Sequence, residues 1–235
     1  MNLAAIDVQL DELAQAKPRL ERAIELLESG DGGAAQLAGA LFNLGNVYYR
    51  ERDLVRALGL FERALAIEEE TRPRHPSVAI SLSSIGKVLS STGQHAEARR
   101  RLERALDISE KELGLDHPLT ATVLSDLASI QQRAGDDAGA REVAERAVML
   151  FDRHEGDQNG EPGGRFVLAQ TLIATGGSHD RARREAEKAL EQYRALADAR
   201  NADRVRQWLA EHDEATRASR ASARNGTGRR RSGQQ

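Results

Sequence analysis

Residues 41–64 read LFNLGNVYYRERDLVRALGLFERA, and the spacing of the small and apolar residues in this stretch decides the fold. These residues recur at three- and four-residue steps in two successive groups, which are Leu41, Leu44, Gly45 and Tyr48, and then Ala57, Phe61 and Ala64. Residues at such steps share one face of an α-helix. The stretch therefore predicts two amphipathic helices that pack against each other across a short turn.

The same pattern occurs twice more along the chain with the same internal spacing. A small residue stands at the position of Gly45 in each set, where bulk would overpack the helix crossing at a cost of about 1–3 kcal/mol. Such repetition predicts a stack of helix pairs, each burying its apolar face against the next. The second set is Leu82, Ile85, Gly86, Leu89, Ala98, Leu102 and Ala105, and the third is Leu124, Leu127, Ala128, Gln131, Ala140, Ala144 and Ala147.

The spacing Leu-x2-Leu-Gly-x2-Tyr, followed by Ala-x3-Phe and Ala, resembles the tetratricopeptide repeat (TPR). The usual period is about 34 residues, whereas Gly45 and Gly86 are 41 residues apart. Residues 105–128, ALDISEKELGLDHPLTATVLSDLA, resemble the extended repeat of kinesin light chains and their bacterial relatives. The resemblance covers residues 37–152 as three repeats. It implies an all-α, right-handed TPR solenoid whose first helices line a concave groove.

The predicted turns between paired helices also contain a recurring residue. Gly93 and Gly135 follow the first helices of the second and third repeats, at the same place in each. Glycine suits a helix C-terminus where the chain needs a positive φ. The first repeat has Arg52 there, which departs from the pattern.

The flanks match the repeat less well. Residues 1–34 are predicted to form a degenerate N-terminal helix pair, with Pro18 interrupting the pattern near the start of its second helix. Residues 153–164 are predicted to form a loop, and residues 165–197 a fourth repeat. Residues 200–220 are predicted to form a capping helix that seals the stack, and residues 221–235 a disordered Arg-rich tail. The leading pair is predicted from the spacing of Ala16, Leu20 and Ala23, and the capping helix from the apolar residues Val205, Trp208 and Leu209.

The C-terminal run beginning RFVLAQTLIATGGSHD at Arg165 is also similar to the TPR tails that follow the catalytic domain of some bacterial serine/threonine kinases. This second resemblance implies a place in kinase signalling. It implies no kinase activity, because the chain has no glycine-rich phosphate loop, strand lysine or metal-binding Asp/Asn pair.

Composition excludes several classes of protein. The 235 residues contain no cysteine, so disulfide frameworks and cysteine-ligated metals are excluded. The net charge is -3, but residues 217–235 carry six arginines and no acid, which leaves -9 on residues 1–216. An acidic body is not typical of a nucleic-acid binder, so we expect nucleic acid to be bound weakly at most, through the tail. We see no secretory signal or membrane span, and expect a cytoplasmic protein.

Six histidines are scattered without the paired spacing of a metal site. His75-Pro76 and His117-Pro118 recur in the joins between repeats, where proline suits a first helical turn and Asp116 is a plausible cap before Pro118. We therefore expect a structural role for both histidines. We predict no enzyme activity and no catalytic, cofactor-binding or metal-binding residues.

The remaining positions of the first helices are the predicted groove. Recognition of extended ligands is the usual use of a solenoid's concave face, and Asn43 carries an amide that can both donate to and accept from a peptide backbone. The predicted groove residues are Phe42, Asn43, Asn46, Tyr49 and Arg50, then Ser83, Ser84, Lys87 and Ser91, then Ser125, Asp126, Ser129, Gln132 and Arg133.

Function is predicted to be the binding of an extended peptide or protein partner in this groove. The alternative is a regulatory or substrate-recruiting segment of a bacterial serine/threonine kinase system, with the kinase as partner. A clamp for chaperone C-terminal carboxylates is not expected, since Thr122 and Asp126 stand where such a clamp needs cations, and Asp126 would repel a carboxylate.

Overall fold

The computed structural model describes residues 13–30, 33–153 and 162–212. Those residues form ten helices and contain no strand. The predicted all-α TPR solenoid is confirmed. The helices are α1 (Leu13–Ser29), α2 (Ala34–Arg50), α3 (Leu54–Thr71), α4 (Pro76–Ser91), α5 (His95–Leu113), α6 (Pro118–Arg133), α7 (Asp137–Arg153), α8 (Pro162–Ala174), α9 (His179–Ala195) and α10 (residues 199–212).

Helices pack in consecutive pairs, α2 with α3, α4 with α5, α6 with α7 and α8 with α9, and each pair packs on the next. Along the stack α4 contacts α6, and α6 contacts α8. The first helices therefore form one continuous inner layer, and the second helices form the outer layer. All residues of the three predicted sets are buried, which confirms the register of the repeats.

The small residue at each helix crossing has a direct steric reason. A Cβ atom on Gly45 would lie 2.6 Å from the ring of Phe61, which is buried and packs against Phe42. A Cβ on Gly86 would lie 3.1 Å from Leu102 Cγ. These approaches bring the paired helices close enough to exclude water from the crossing.

The turns inside the three repeats share one geometry. In each, a backbone N–H bonds the carbonyl five residues earlier at 2.9 Å, as from Asp53 to Tyr48 in the first repeat. Gly93 and Gly135 take φ of 83° and 84°, as predicted, and Arg52 takes a φ of 67° in the same position. The first repeat thus keeps the turn although its residue has the Cβ that disfavours this conformation.

Arg52→Gly should therefore stabilise the protein by about 1 kcal/mol, because glycine adopts a positive φ without the Cβ clash. The Arg52 side chain is exposed and makes no hydrogen bond or ion pair within the described residues, so little is lost with it. Urea unfolding followed by circular dichroism would measure the gain. Arg52→Ala is the matched control, and equal stability of both variants would contradict the strain argument.

Histidines cap the N-termini of α4 and α6, the helices that follow the joins between repeats. His75 Nδ1 accepts a hydrogen bond from Ser77 N at 3.2 Å, and His117 Nδ1 accepts one from Leu119 N at 3.0 Å. Asp116 was the predicted cap, and this prediction is wrong. His117 directly precedes the first helical residue, whereas the Asp116 carboxylate forms an ion pair with Arg153 at 3.0 Å.

At the N-terminal flank, α1 begins at Leu13 and continues through Pro18 without a break. Ala16 and Leu20 are fully buried against the stack. The other helix of the predicted leading pair would fall within residues 1–12, which lie outside the described residues.

At the C-terminal flank, helix α7 extends to Arg153 and α8 begins at Pro162, so both ends of the predicted 153–164 loop are helical. In α10, Val205 is fully buried, and the Trp208 ring packs edge-on against Phe166 with ring centroids 5.9 Å apart. Residues 213–235, with the Arg-rich tail, lie outside the described residues.

Candidate functional site

Charge differs sharply between the inner and outer layers. The four outer helices of the pairs (α3, α5, α7 and α9) together carry 17 acidic and 15 basic residues. The sequences of the four inner helices together contain a single acid, Asp126. Their cations are Arg50, Lys87, Arg133 and Arg165. The inner layer is therefore cationic in a chain whose body is acidic.

A small pocket of about 100 Å³ opens between α2, α4 and α6. Because it spans three repeats, its shape depends on the angle between them as well as on local sequence. Its lining mixes cations, hydroxyl groups and one apolar side chain. The lining residues are Tyr49, Lys87, Ser90, Ser91, Asp126, Ser129, Ile130 and Arg133.

An ion pair between neighbouring repeats lies in this pocket. Lys87 Nζ is 3.3 Å from Asp126 Oδ2. Asp126 is 9% exposed, and its burial raises the pKa of the carboxyl group, while Lys87 acts in the opposite direction. The repulsion of anions that the sequence predicts for Asp126 is therefore reduced, because the carboxylate is buried and its charge is countered by Lys87.

The structure separates the predicted groove residues into two groups. The serines Ser83, Ser84 and Ser125 are buried, and a Cβ on Gly164 of α8 would lie 2.8 Å from Ser125 Oγ. Small residues at these positions permit the inner helices to approach each other, so these three side chains are not presented to solvent. Except for Asp126, the others are half-buried or exposed: Phe42, Asn43, Asn46, Tyr49, Arg50, Lys87, Ser91, Ser129, Gln132 and Arg133.

Several of these groups have no internal partner. Asn43, Asn46 and Gln132 are half-buried, and their amides make no hydrogen bond to the rest of the described chain. Amides placed this way along one face are available to an incoming backbone. Phe42 differs, because its ring packs against Phe61 with centroids 5.3 Å apart and belongs to the helix crossing.

Sequence reasoning missed two pocket residues, Ser90 and Ile130. Ser90 is the register equivalent of Tyr49, 41 residues later, so counting along the repeat would have found it. Ile130 is almost entirely buried and also lines the pocket. The repeat pattern gives no signal for it.

A ladder of ion pairs joins successive outer helices. In each rung an arginine reaches back to a glutamate of the previous outer helix, 35 or 36 residues earlier. Charged groups of the outer layer thereby pair with one another, whereas the amides of the inner layer have no partner among the described residues. The rungs are Arg63–Glu28 at 2.5 Å, Arg104–Glu69 at 2.5 Å, Arg146–Glu110 at 2.6 Å and Arg181–Glu145 at 3.1 Å.

Within the described ranges, no three His, Asp or Glu side chains come together in a way that could hold a metal ion. No helix in those ranges is long and apolar enough to cross a membrane.

Comparison with known families agrees with the repeat register. The sequence model of the tetratricopeptide repeat matches residues 1–70, 36–111 and 77–152, in overlapping segments that together cover more than half of the chain. The chain belongs to the tetratricopeptide-repeat family. This TPR protein resembles solved TPR structures along most of its length.

One such structure, of TPR-like repeats from a Podosopora anserina kinesin light chain, is 25% identical, with a TM-score of 0.61 over 83% of this chain and 92% of that one. A Rap protein complexed with Competence and Sporulation Factor shares the fold, with a TM-score of 0.70 and 18% identity over 83% of this chain and 53% of that one. Response regulator aspartate phosphatase A of Bacillus subtilis (strain 168) is 29% identical over 105 residues, 45% of this chain and 26% of the relative. The match thus spans about a quarter of that relative's length.

Proposed function

We propose that this TPR protein binds an extended segment of a partner protein along the concave face formed by α2, α4 and α6. The observation that carries the proposal is the set of half-buried amides that have no partner among the described residues, Asn43, Asn46 and Gln132, together with the pocket at Lys87. A partner that covered these amides without bonding to them would lose free energy of binding, because buried polar groups need hydrogen bonds. A peptide backbone laid along the face would supply those bonds.

The two parts of the site have different roles in this proposal. The amides hold the backbone of the partner, which gives affinity with little sequence preference. The pocket lined by Tyr49, Lys87 and Arg133 receives one partner side chain and gives selectivity. The Rap structure supports partner binding by this fold, since that protein was solved in complex with Competence and Sporulation Factor.

We propose binding without catalysis. The phosphatase name of the Bacillus subtilis relative is not carried over, because the match covers only 26% of that protein. Use of the chain within a serine/threonine kinase system stays a prediction from the resemblance of the C-terminal run. Co-purification with a kinase domain encoded beside this chain would favour it.

The test is a pull-down from the source lysate with the wild-type chain and the variant Asn43→Ala/Asn46→Ala/Lys87→Ala. We expect this groove variant to lose at least about tenfold of the captured partner, equivalent to roughly 1.4 kcal/mol. Circular dichroism must show that it remains folded.

The control variant Lys188→Ala/Gln207→Ala removes a lysine and an amide from exposed positions on α9 and α10. It should capture the partner as the wild type does. Equal capture by the groove variant and the wild type would move the binding site away from the groove.

A further inference from the structure

We propose that the groove selects an acidic segment of the partner, and that Asp126 limits its affinity by competing with the partner's carboxylate for Lys87. This inference deepens the proposed function and rests on it. It assigns to Asp126 a role in limiting affinity, although this residue is buried and presents little surface of its own.

Charge complementarity identifies the partner's chemistry. The four inner helices carry four cations and a single acid, whereas the four outer helices carry 17 acidic and 15 basic residues. A basic segment approaching the groove would meet Lys87 and Arg133 side by side at the pocket. An acidic segment would instead find there two neighbouring cations on a face whose helices contain a single, buried acid.

Arg133 provides the first contact for a carboxylate. Its side chain is exposed at the C-terminal end of α6, lines the pocket, and forms no ion pair or hydrogen bond with any other described residue. A guanidinium in this state can hold a carboxylate through two parallel hydrogen bonds. Binding there breaks no existing contact of Arg133.

Lys87 is the second cation, and it is already engaged. Its ammonium lies 3.3 Å from Asp126 Oδ2, while its own side chain is still 38% exposed toward the pocket. A partner carboxylate that reaches Lys87 must share it with Asp126, and two carboxylates on one ammonium repel each other. Asp126 therefore weakens the binding of acidic ligands that reach Lys87.

The inference is tested by removing this competitor and each of the two cations in turn, with an exposed lysine elsewhere as the control. We would use fluorescence anisotropy with the full chain and three labelled, end-blocked peptides of equal length, alternating Glu-Ser, Gln-Ser and Lys-Ser. The variants are Asp126→Asn, Lys87→Gln, Arg133→Gln and the exposed control Lys188→Gln. The Arg-rich tail is present in all of them, so its contribution to binding is constant.

Wild type should bind the Glu-Ser peptide more tightly than the other two. Lys87→Gln and Arg133→Gln should each weaken that binding about fivefold, equivalent to roughly 1 kcal/mol. Asp126→Asn should tighten it about threefold, and Lys188→Gln should leave it unchanged. If Asp126→Asn does not fold, the two cation variants still decide whether acidic ligands are selected in the pocket.

Equal binding of the Glu-Ser and Gln-Ser peptides, or tighter binding of Lys-Ser, would overturn the inference. So would weaker Glu-Ser binding by folded Asp126→Asn. Each of these outcomes leaves the proposed function standing if the groove variant still fails to capture the lysate partner. Loss of groove dependence in the pull-down would instead reject the proposed function itself.

Discussion

Ala98→Arg should lower the melting temperature strongly, because Ala98 lies at the crossing of α4 and α5 and is completely buried. Its carbonyl oxygen would be only 3.3 Å from a Cβ placed on Gly86, so there is no room for a longer side chain. An arginine there must separate the helices or bury an unpaired charge. Either change costs about 4 kcal/mol or more, a large share of a typical folding free energy.

Thermal denaturation followed by circular dichroism would measure this loss. The matched control is Ala96→Arg, an exposed position two residues earlier on the same helix, which should change the melting temperature little. If Ala98→Arg melted like wild type, the assignment of Ala98 to the crossing would be wrong, and with it the register of all three repeats.

Arg165→Leu should cost about 3–5 kcal/mol, because it breaks a buried charge cluster. Arg165, only 6% exposed, donates from Nη1 to Glu185 Oε2 at 3.0 Å and also pairs with Asp152 at the end of α7. The cluster thus joins α7, α8 and α9. Without the arginine, the buried Glu185 carboxylate loses its partner and must be desolvated alone.

The double variant Arg165→Leu/Glu185→Leu should recover most of that loss, since buried ion pairs can often be replaced by apolar residues. Trp208, the single tryptophan, packs on Phe166 beside this region, so its fluorescence reports local unfolding in urea. A double variant as unstable as Arg165→Leu would show that shape, rather than charge, is what Arg165 contributes.

The repeat register could be predicted from sequence because its determinants are local. Gly45 and Phe61 are sixteen residues apart, and both follow from helical periodicity and from the need for a small residue where helices cross. The turn glycines Gly93 and Gly135 are equally local, since positive φ is a property of single residues.

The site could be predicted only in part, because it depends on angles between repeats. Periodicity places Lys87 and Asp126 on inner helices, but their ion pair requires the observed approach of α4 to α6. The burial of Ser125 likewise follows from its contact with Gly164 on a helix that begins 37 residues later. The cap at His117 was misassigned because aspartate is a commoner cap than histidine.

The ladder of outer ion pairs bears on how the chain can change in length. Removal of residues 76–117 would delete α4, α5 and their join, and with them Arg104 and Glu110. Glu69 would then face Arg146, and His75 would directly precede Pro118 in place of His117. Both the electrostatic rung and the helix cap would be restored across the cut. The deletion removes Lys87 and leaves Asp126 without its ion pair, but the outer ion pairs and the helix cap persist. The outer layer can thus gain or lose a whole module without breaking its ladder, which favours growth of the array by duplication.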